Sequence, residues 1–204
     1  MSPLELVAVL VSIAAIYATA QRWLYCWPVG LLSILLYIEV FRRAQLYSDV
    51  LLQLFFLCFN LYGWWSWMHS RHDARDEEKV AVDSLSWGGW LLGGVAGTLG
   101  GAVLGWMMAR YTNAAIPHLD SLLTCLSLVG QYWTVKRYIA SWWLWIWVDI
   151  VYTGVYAYKH LYLTAGLYAA FIVLAVIGLR EWTQAWRAQQ AESLGEPAAE
   201  TVLD

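Results

Sequence analysis

The apolar segment 141–158 carries the side chains best suited to chemistry in this chain. Acidic and aromatic residues recur there at helical spacing and share one face: Trp142, Trp145, Asp149, Tyr152 and Tyr156. A carboxylate at the centre of a bilayer costs about 2.5–3.5 kcal/mol, so Asp149 should face a cavity or a partner. A tryptophan ring beside it offers a cation–π contact worth about 2 kcal/mol when water is excluded. The pattern predicts a binding site for a flat aromatic cation.

Two other apolar segments carry a narrow polar face. The segment 119–135 aligns Asp120, Thr124, Ser127 and Gln131, and the segment 48–68 aligns Gln53, Asn60, Trp64 and Trp67. These faces can also serve as contacts between helices, at about 0.6 kcal/mol for each polar group. Contact between helices is the favoured role for any single Ser or Thr, whereas a functional role is favoured for Asp149 with its tryptophans.

Patterns typical of enzymes and metal sites are missing from the sequence. The histidines lie in connections or at segment ends, and none forms a zinc-protease pair. Neither a phosphate-binding loop nor a nucleophile elbow occurs. Cys26, Cys58 and Cys125 lie in apolar runs without ligand spacing, which favours buried hydrophobic roles. We expect no catalysis, no cofactor and no metal, and the absence of a basic tract argues against nucleic acid.

The composition places these faces in a membrane protein. The 204 residues are 61% hydrophobic and 13% charged, with mean hydropathy +0.52, whereas soluble domains have about 45–50% apolar residues. We predict an all-α protein with seven transmembrane helices, at about 4–20, 25–41, 48–68, 88–109, 119–135, 141–158 and 162–180. They form one transporter domain over 1–190. The charge-dense stretch 69–87 is predicted to be a solvated loop, and the tail, polar from Gln189, to be disordered over 191–204.

Basic residues predict the orientation of the spans. With seven crossings, 8 of the 12 Lys and Arg residues fall on the side of the 69–87 loop and 4 on the other. Because cytoplasmic loops are enriched in Lys and Arg, the loop and the C-terminus should be cytoplasmic and the N-terminus outside.

The sequence also repeats itself at an offset of 115 residues. Six of the matching pairs are Ser12 with Ser127, Arg22 with Arg137, Trp27 with Trp142, Tyr37 with Tyr152, Gly63 with Gly178, and Trp67 with Trp182. Three spans and a linker span separate the copies, so both enter the membrane in the same direction. This predicts a 3+1+3 parallel repeat, with repeats at about 4–68 and 119–182 around a glycine-rich linker helix at about 88–109.

Two segments carry a resemblance to a known family: YSDVLLQLFFLCFNLYGWWSW from Tyr47 to Trp67, and DSLLTCLSLVGQYWTVKRYIASWWLWIWVD from Asp120 to Asp149. They resemble the PnuC family of nicotinamide riboside transporters. The most specific element of the resemblance is Trp142-x-x-Trp145-x-x-x-Asp149, which is similar to the family signature WxxWxxx(N/D). The resemblance implies a fold similar to the SWEET sugar transporters and a bacterial inner-membrane uniporter. The substrate would be trapped after entry by a separate cytoplasmic kinase.

The resemblance also implies which residues contact the substrate. Trp142, Trp145 and Asp149 would line the site, with Gln53 and Asn60 facing them. The expected substrate-binding set is Gln53, Asn60, Trp64, Thr124, Ser127, Gln131, Trp142, Trp145, Asp149 and Tyr152.

Several alternatives stay open. Asp149 stands where nicotinamide riboside carriers often have Asn, so thiamine and riboflavin are alternative substrates. A membrane scaffold without transport is the alternative of another class. The oligomeric state is also open, with a homo-oligomer among the alternatives.

Overall fold

A computed structural model describes residues 3–43, 47–70, 80–112, 116–158, 160 and 162–193. These residues form seven helices: α1 (Pro3–Ala20), α2 (Cys26–Arg43), α3 (Tyr47–Ser70), α4 (Trp87–Tyr111), α5 (Pro117–Val135), α6 (Ala140–Tyr158) and α7 (Tyr162–Ser193). Within the described part of the chain there is no strand, only an isolated bridge between Asp83 and Tyr138. The prediction of an all-helical chain is confirmed.

Three of the helices are long and apolar enough to cross a membrane by length and composition. They are Pro3–Ala20, Trp87–Tyr111 and the Thr164–Ser193 part of α7. Helices α3, α5 and α6 are 24, 19 and 19 residues long, which also suits a span by length.

The predicted end of the last helix is wrong. Helix α7 continues to Ser193, past the predicted end at 180 and into the predicted tail. The reason is packing, because Trp182 is fully buried and Ala185 and Trp186 pack against the same core. A tertiary contact therefore extends the helix beyond the apolar run. The rest of the predicted tail, 194–204, lies outside the described residues.

The core lies at one end of the helix bundle and is built from four buried tryptophans, here called the tryptophan cluster: Trp27, Trp67, Trp142 and Trp182. The first two rings meet edge to face at 5.2 Å and the last two at 5.4 Å. Trp67 and Trp182 join the pairs at 6.1 Å. The six-membered ring of Trp27 occupies the space where a Cβ of Gly63 would stand, and Trp142 does the same at Gly178. Both glycines therefore permit a close approach that a larger residue would block.

Indole hydrogen bonds cross between the helices of the tryptophan cluster. The Trp67 indole N–H on α3 donates to the carbonyl of Val135 at the end of α5, at 3.1 Å. The Trp182 indole N–H on α7 is shared between the carbonyls of Thr19 and Ala20 at the end of α1, both at 3.2 Å. The carbonyls of Val135 and Ala20 lie in the last turn of a helix, where no partner exists within the helix.

The connections after α1 and α5 have the same backbone conformation. Arg22 and Arg137 both adopt positive φ, at 61° and 64°. Burial lowers the pKa of both guanidinium groups, while Glu181 acts in the opposite direction on Arg22 and Asp83 on Arg137. These arginines are therefore part of the packed end of the bundle rather than free surface charges.

The predicted solvated loop is wrong for its C-terminal part. Val80 and Val82 are buried in the same core as the tryptophan cluster. Arg22 donates to the Val80 carbonyl at 3.2 Å, and the Asp83 backbone exchanges hydrogen bonds of 3.0 Å with Arg137 and Ile139. Backbone pairing and two valines thus hold residues 80–83 across the end of the bundle. The charge-dense part, 71–79, lies outside the described residues.

Helix α4 packs on α5 through glycines. Gly93, Gly97, Gly101 and Gly105 form its buried face. Side chains of α5 fill the space beside them, with Trp133 at Gly93 and Leu126 at Gly97. The opposite face of α4 exposes large apolar residues, which suits contact with lipid.

Candidate functional site

Asp149 is the central group of the candidate site. It lies in the middle of α6 and only 7% of its surface is exposed. Among the described residues no hydrogen bond or ion pair reaches its carboxylate. The nearby Thr153 hydroxyl donates to the backbone carbonyl of Asp149 and not to the carboxylate. A buried carboxylate without a partner is strongly disfavoured. The site is therefore suited to a ligand that brings a positive charge or hydrogen-bond donors.

Trp145, one turn before Asp149, is fixed by α5. Its indole N–H donates to the Thr134 hydroxyl at 3.2 Å, and that hydroxyl in turn donates to the Gly130 carbonyl at 3.0 Å. The ring lies over Gly130, where an added Cβ would be 3.3 Å from it. These contacts hold a half-buried aromatic surface in one orientation beside Asp149. A fixed ring loses little conformational entropy on binding a flat ligand.

Three tyrosines form an aromatic group on the other side of Asp149. Tyr152 and Tyr156 on α6 stack at 5.9 Å, and Tyr168 on α7 meets them at 4.9 and 5.2 Å. The phenol groups of Tyr152 and Tyr168 lie close enough to the Asp149 carboxylate to interact electrostatically. The Tyr152 phenol also lies close to the Thr124 hydroxyl on the polar face of α5. Asp149 thus has a tryptophan on one side and tyrosine rings on the other.

Polar atoms without partners occur close to the tryptophan cluster. In the described part of the chain, the indole N–H groups of Trp27 and Trp142, the Ser141 hydroxyl and the Asn60 side-chain oxygen are buried without a hydrogen bond. The Asn60 amide nitrogen lies only 2.7 Å from where a Cβ of Gly30 would stand. Buried unpaired polar groups in a native protein call for an explanation such as a bound ligand. They supply two indole donors, one hydroxyl and one amide-oxygen acceptor. Ser141 and Trp142 lie about two turns before Asp149 on α6.

The remaining predicted site residues differ in their surroundings. The Ser127 hydroxyl donates to the Leu123 carbonyl of its own helix at 2.8 Å. Trp64 is half-buried and packs against the core of the tryptophan cluster. Gln53 and Gln131 are half-buried and make no side-chain hydrogen bond with another described residue. Tyr152 lies close to both Asp149 and Thr124, and Trp145 contacts Thr134 and Gly130. The binding roles of all ten predicted residues stay predictions.

Tyr168 is a candidate site residue that the sequence reasoning missed. Helix α7 is almost uniformly apolar up to Leu179, so no polar face marks this tyrosine. One signal was available in the sequence, because the offset of 115 pairs Tyr168 with Gln53, a predicted site residue. Thr134 was missed for a different reason, since a threonine near a helix end resembles a packing residue.

Matches to known proteins identify the family of this chain. The profile of the nicotinamide mononucleotide transporter family matches residues 2–184. The nicotinamide riboside transporter PnuC of Escherichia coli (strain K12) is 26% identical over 189 residues, covering 81% of this chain and 78% of that protein. PnuC of Neisseria mucosa is 27% identical over 165 residues, covering 76% and 62%.

A solved structure shares the fold. The crystal structure of the vitamin B3 transporter PnuC superimposes with a TM-score of 0.74 at 24% identity, covering 91% of this chain and 82% of that one. The predicted resemblance to the PnuC family is confirmed, as is the prediction of a membrane transporter rather than an enzyme. Since the family profile covers nearly the whole described region, this chain belongs to the nicotinamide mononucleotide transporter family.

Proposed function

We propose that the protein carries nicotinamide riboside across the bacterial inner membrane by facilitated diffusion. The observation that carries the proposal is the buried Asp149 carboxylate, which has no partner among the described residues and lies between Trp145 and three tyrosines. Nicotinamide riboside is a flat pyridinium cation with a carboxamide and ribose hydroxyls. Its charge complements Asp149, and its ring matches the aromatic surfaces. The PnuC relatives named for this substrate support the assignment.

The same charge argues against the mononucleotide that the family description names. A mononucleotide adds a phosphate of nearly two negative charges, which a buried carboxylate repels. Helix α6, which carries Asp149 near its middle, contains no Lys or Arg that could offset the phosphate. Thiamine stays the second candidate, because its thiazolium cation and aminopyrimidine also suit a carboxylate.

The unpaired groups near the tryptophan cluster support a larger site around Asp149. We assign the ribose hydroxyls and the carboxamide to the Trp142 N–H, the Asn60 oxygen and the Gln53 amide. Trp64, Thr124, Ser127, Gln131 and Tyr152 complete the proposed binding set, and Tyr168 is added to it. In this proposal the tryptophan cluster forms the floor of the site on the side of residues 80–83.

We also propose the 3+1+3 repeat, with α1–α3 equivalent to α5–α7 and α4 as linker. The support comes from pairs at the offset of 115. Trp67 donates to Val135 and Trp182 to Ala20, and these four residues exchange under the offset. Arg22 and Arg137 share positive φ, and Gly63 and Gly178 each receive a tryptophan ring. This is the arrangement of parallel repeats expected for a SWEET-like transporter.

Uptake into proteoliposomes tests the proposed function. Labelled nicotinamide riboside should enter until its concentrations inside and outside the vesicles are equal. ATP should not be needed, because the sequence has no nucleotide-binding motif. Neither sodium nor a proton gradient should be needed for this equilibration. A kinase enclosed in the vesicles should convert this equilibration into accumulation by trapping the product. Empty vesicles and an Asp149→Ala variant serve as controls. Accumulation that a protonophore abolishes would contradict facilitated diffusion, and no uptake of any B vitamin would favour the scaffold.

Reporter fusions test the orientation. The asymmetry of 8 to 4 basic residues predicts that fusions at residue 75 and after residue 193 report a cytoplasmic location, and that a fusion before Pro3 reports an outside location. A periplasmic signal at residue 75 would reverse the orientation.

A further inference from the structure

We propose that a groove between the start of α6 and the C-terminal half of α7 binds the headgroup of an anionic glycerophospholipid. The groove has a volume of about 400 Å³ and is lined by Trp143, Leu179, Arg180, Thr183, Gln184 and Arg187. It lies on the outside of the bundle, apart from Asp149. The inference is therefore independent of the transported substrate.

The polar lining suits a phosphate group. Arg180 and Arg187 present two guanidinium groups on the same face of α7, two turns apart. Gln184 lies between them as a further hydrogen-bond donor, whereas the Thr183 hydroxyl donates to the Leu179 carbonyl. Both arginines are exposed, and neither makes an ion pair or hydrogen bond with another described residue. Guanidinium groups bind phosphate oxygens through charge-assisted hydrogen bonds. The shared chemistry of the ligands that fit is thus a phosphate monoester or diester.

The position of the groove selects a lipid from among these ligands. The uncharged run of α7 ends at Leu179, so Arg180 stands where the helix leaves the apolar layer. Trp143, in the first turn of α6, is 56% exposed, as is typical of tryptophans at the level of lipid headgroups. Basic pockets between transmembrane helices at this depth bind anionic headgroups.

Apolar stripes lead from the groove toward the middle of the bilayer. On α6, Trp147 and Ile150 follow Trp143 at helical spacing and are 63% and 53% exposed. On α7, Val173 lies two turns before Arg180 and is 60% exposed. A phospholipid with its phosphate between the arginines would lay its acyl chains along these stripes. Free phosphate would gain nothing from them.

Native mass spectrometry of the full-length protein in detergent tests the proposal. We expect phosphatidylglycerol to be retained in preference to phosphatidylcholine with the same acyl chains. Each single change, Arg180→Gln or Arg187→Gln, should weaken phosphatidylglycerol binding about 5-fold, and the double change about 30-fold, at about 1 kcal/mol for each basic residue near the headgroups. Trp147→Ala should weaken retention of both lipids, because it shortens the apolar stripe.

The matched control is Arg110→Gln, which removes an exposed arginine at the end of α4. It should leave retention of phosphatidylglycerol unchanged. Circular dichroism and thermal melting of each variant separate lost binding from lost folding, and Arg187→Gln changes only an exposed side chain. Equal retention of the two lipids, unchanged binding in the double variant, or displacement of phosphatidylglycerol by inorganic phosphate would each overturn the proposal.

Discussion

Trp145→Ala should weaken the binding of nicotinamide riboside by about 30-fold. A desolvated cation–π contact contributes about 2 kcal/mol, and 1.4 kcal/mol corresponds to tenfold in affinity. The ring is already fixed on Gly130 and Thr134, so its removal loses a preformed surface. Calorimetric titration of the purified protein measures the change. Trp106→Ala, at an exposed ring on α4, is the control and should bind normally.

Asp149→Asn should separate the candidate substrates in the same titration. The substitution removes the charge and keeps hydrogen-bonding atoms, so its effect on nicotinamide riboside should be smaller than that of Trp145→Ala. Asp149→Asn should weaken the binding of thiamine more than it weakens the binding of nicotinamide riboside. Unchanged affinity in Trp145→Ala would place the site elsewhere, and normal binding of every vitamin by Asp149→Asn would assign Asp149 a structural role.

Trp67→Ala and Trp182→Ala should each lower the free energy of unfolding by about 3–5 kcal/mol, the usual cost of deleting a buried large aromatic ring. Each change also leaves a helix-end carbonyl, at Val135 or Ala20, without its donor. Unfolding in detergent followed by tryptophan fluorescence or circular dichroism measures both variants. Because the two rings have equivalent contacts, the losses should be similar.

Trp87→Ala is the control for this pair, since Trp87 is 90% exposed. It should unfold like the unmodified protein. Trp67→Phe and Trp182→Phe keep most of the ring and lose the indole donor, so they should cost about 1 kcal/mol. A Trp67→Ala protein of normal stability would show that the tryptophan cluster does not hold the bundle end together.

The sequence was most informative where a residue type conflicts with its surroundings. Asp149 stands out because a carboxylate within an apolar helix requires an explanation, and helical spacing then brings Trp145 and Tyr152 onto its face. All three lie on α6, and the Tyr152 phenol is close to the Asp149 carboxylate. The helices were predictable for a similar reason, because apolar runs of about 20 residues have few alternatives in a bilayer.

Other features depend on contacts that no local pattern encodes. Tyr168 joins the site only because α7 packs against α6, and its own helix has no polar face. Val80 and Val82 follow a charge-dense stretch, so their burial depends on pairing with the turn at Arg137. Helix α7 likewise continues past 180 because Trp182 packs into a core formed by distant segments.

The indole hydrogen bonds of Trp67 and Trp182 form an isologous contact within a single chain, in which equivalent residues on each side make the same contact. Trp67 reaches the end of α5 while Trp182 reaches the end of α1, so each three-helix half completes the other in the same way. Isologous contacts are typical of symmetric homodimers. Under the proposed repeat, a three-helix ancestor with this tryptophan would have been self-complementary as a dimer of parallel subunits. Gene fusion of two such subunits needs one extra membrane crossing to keep them parallel, and α4 supplies that crossing.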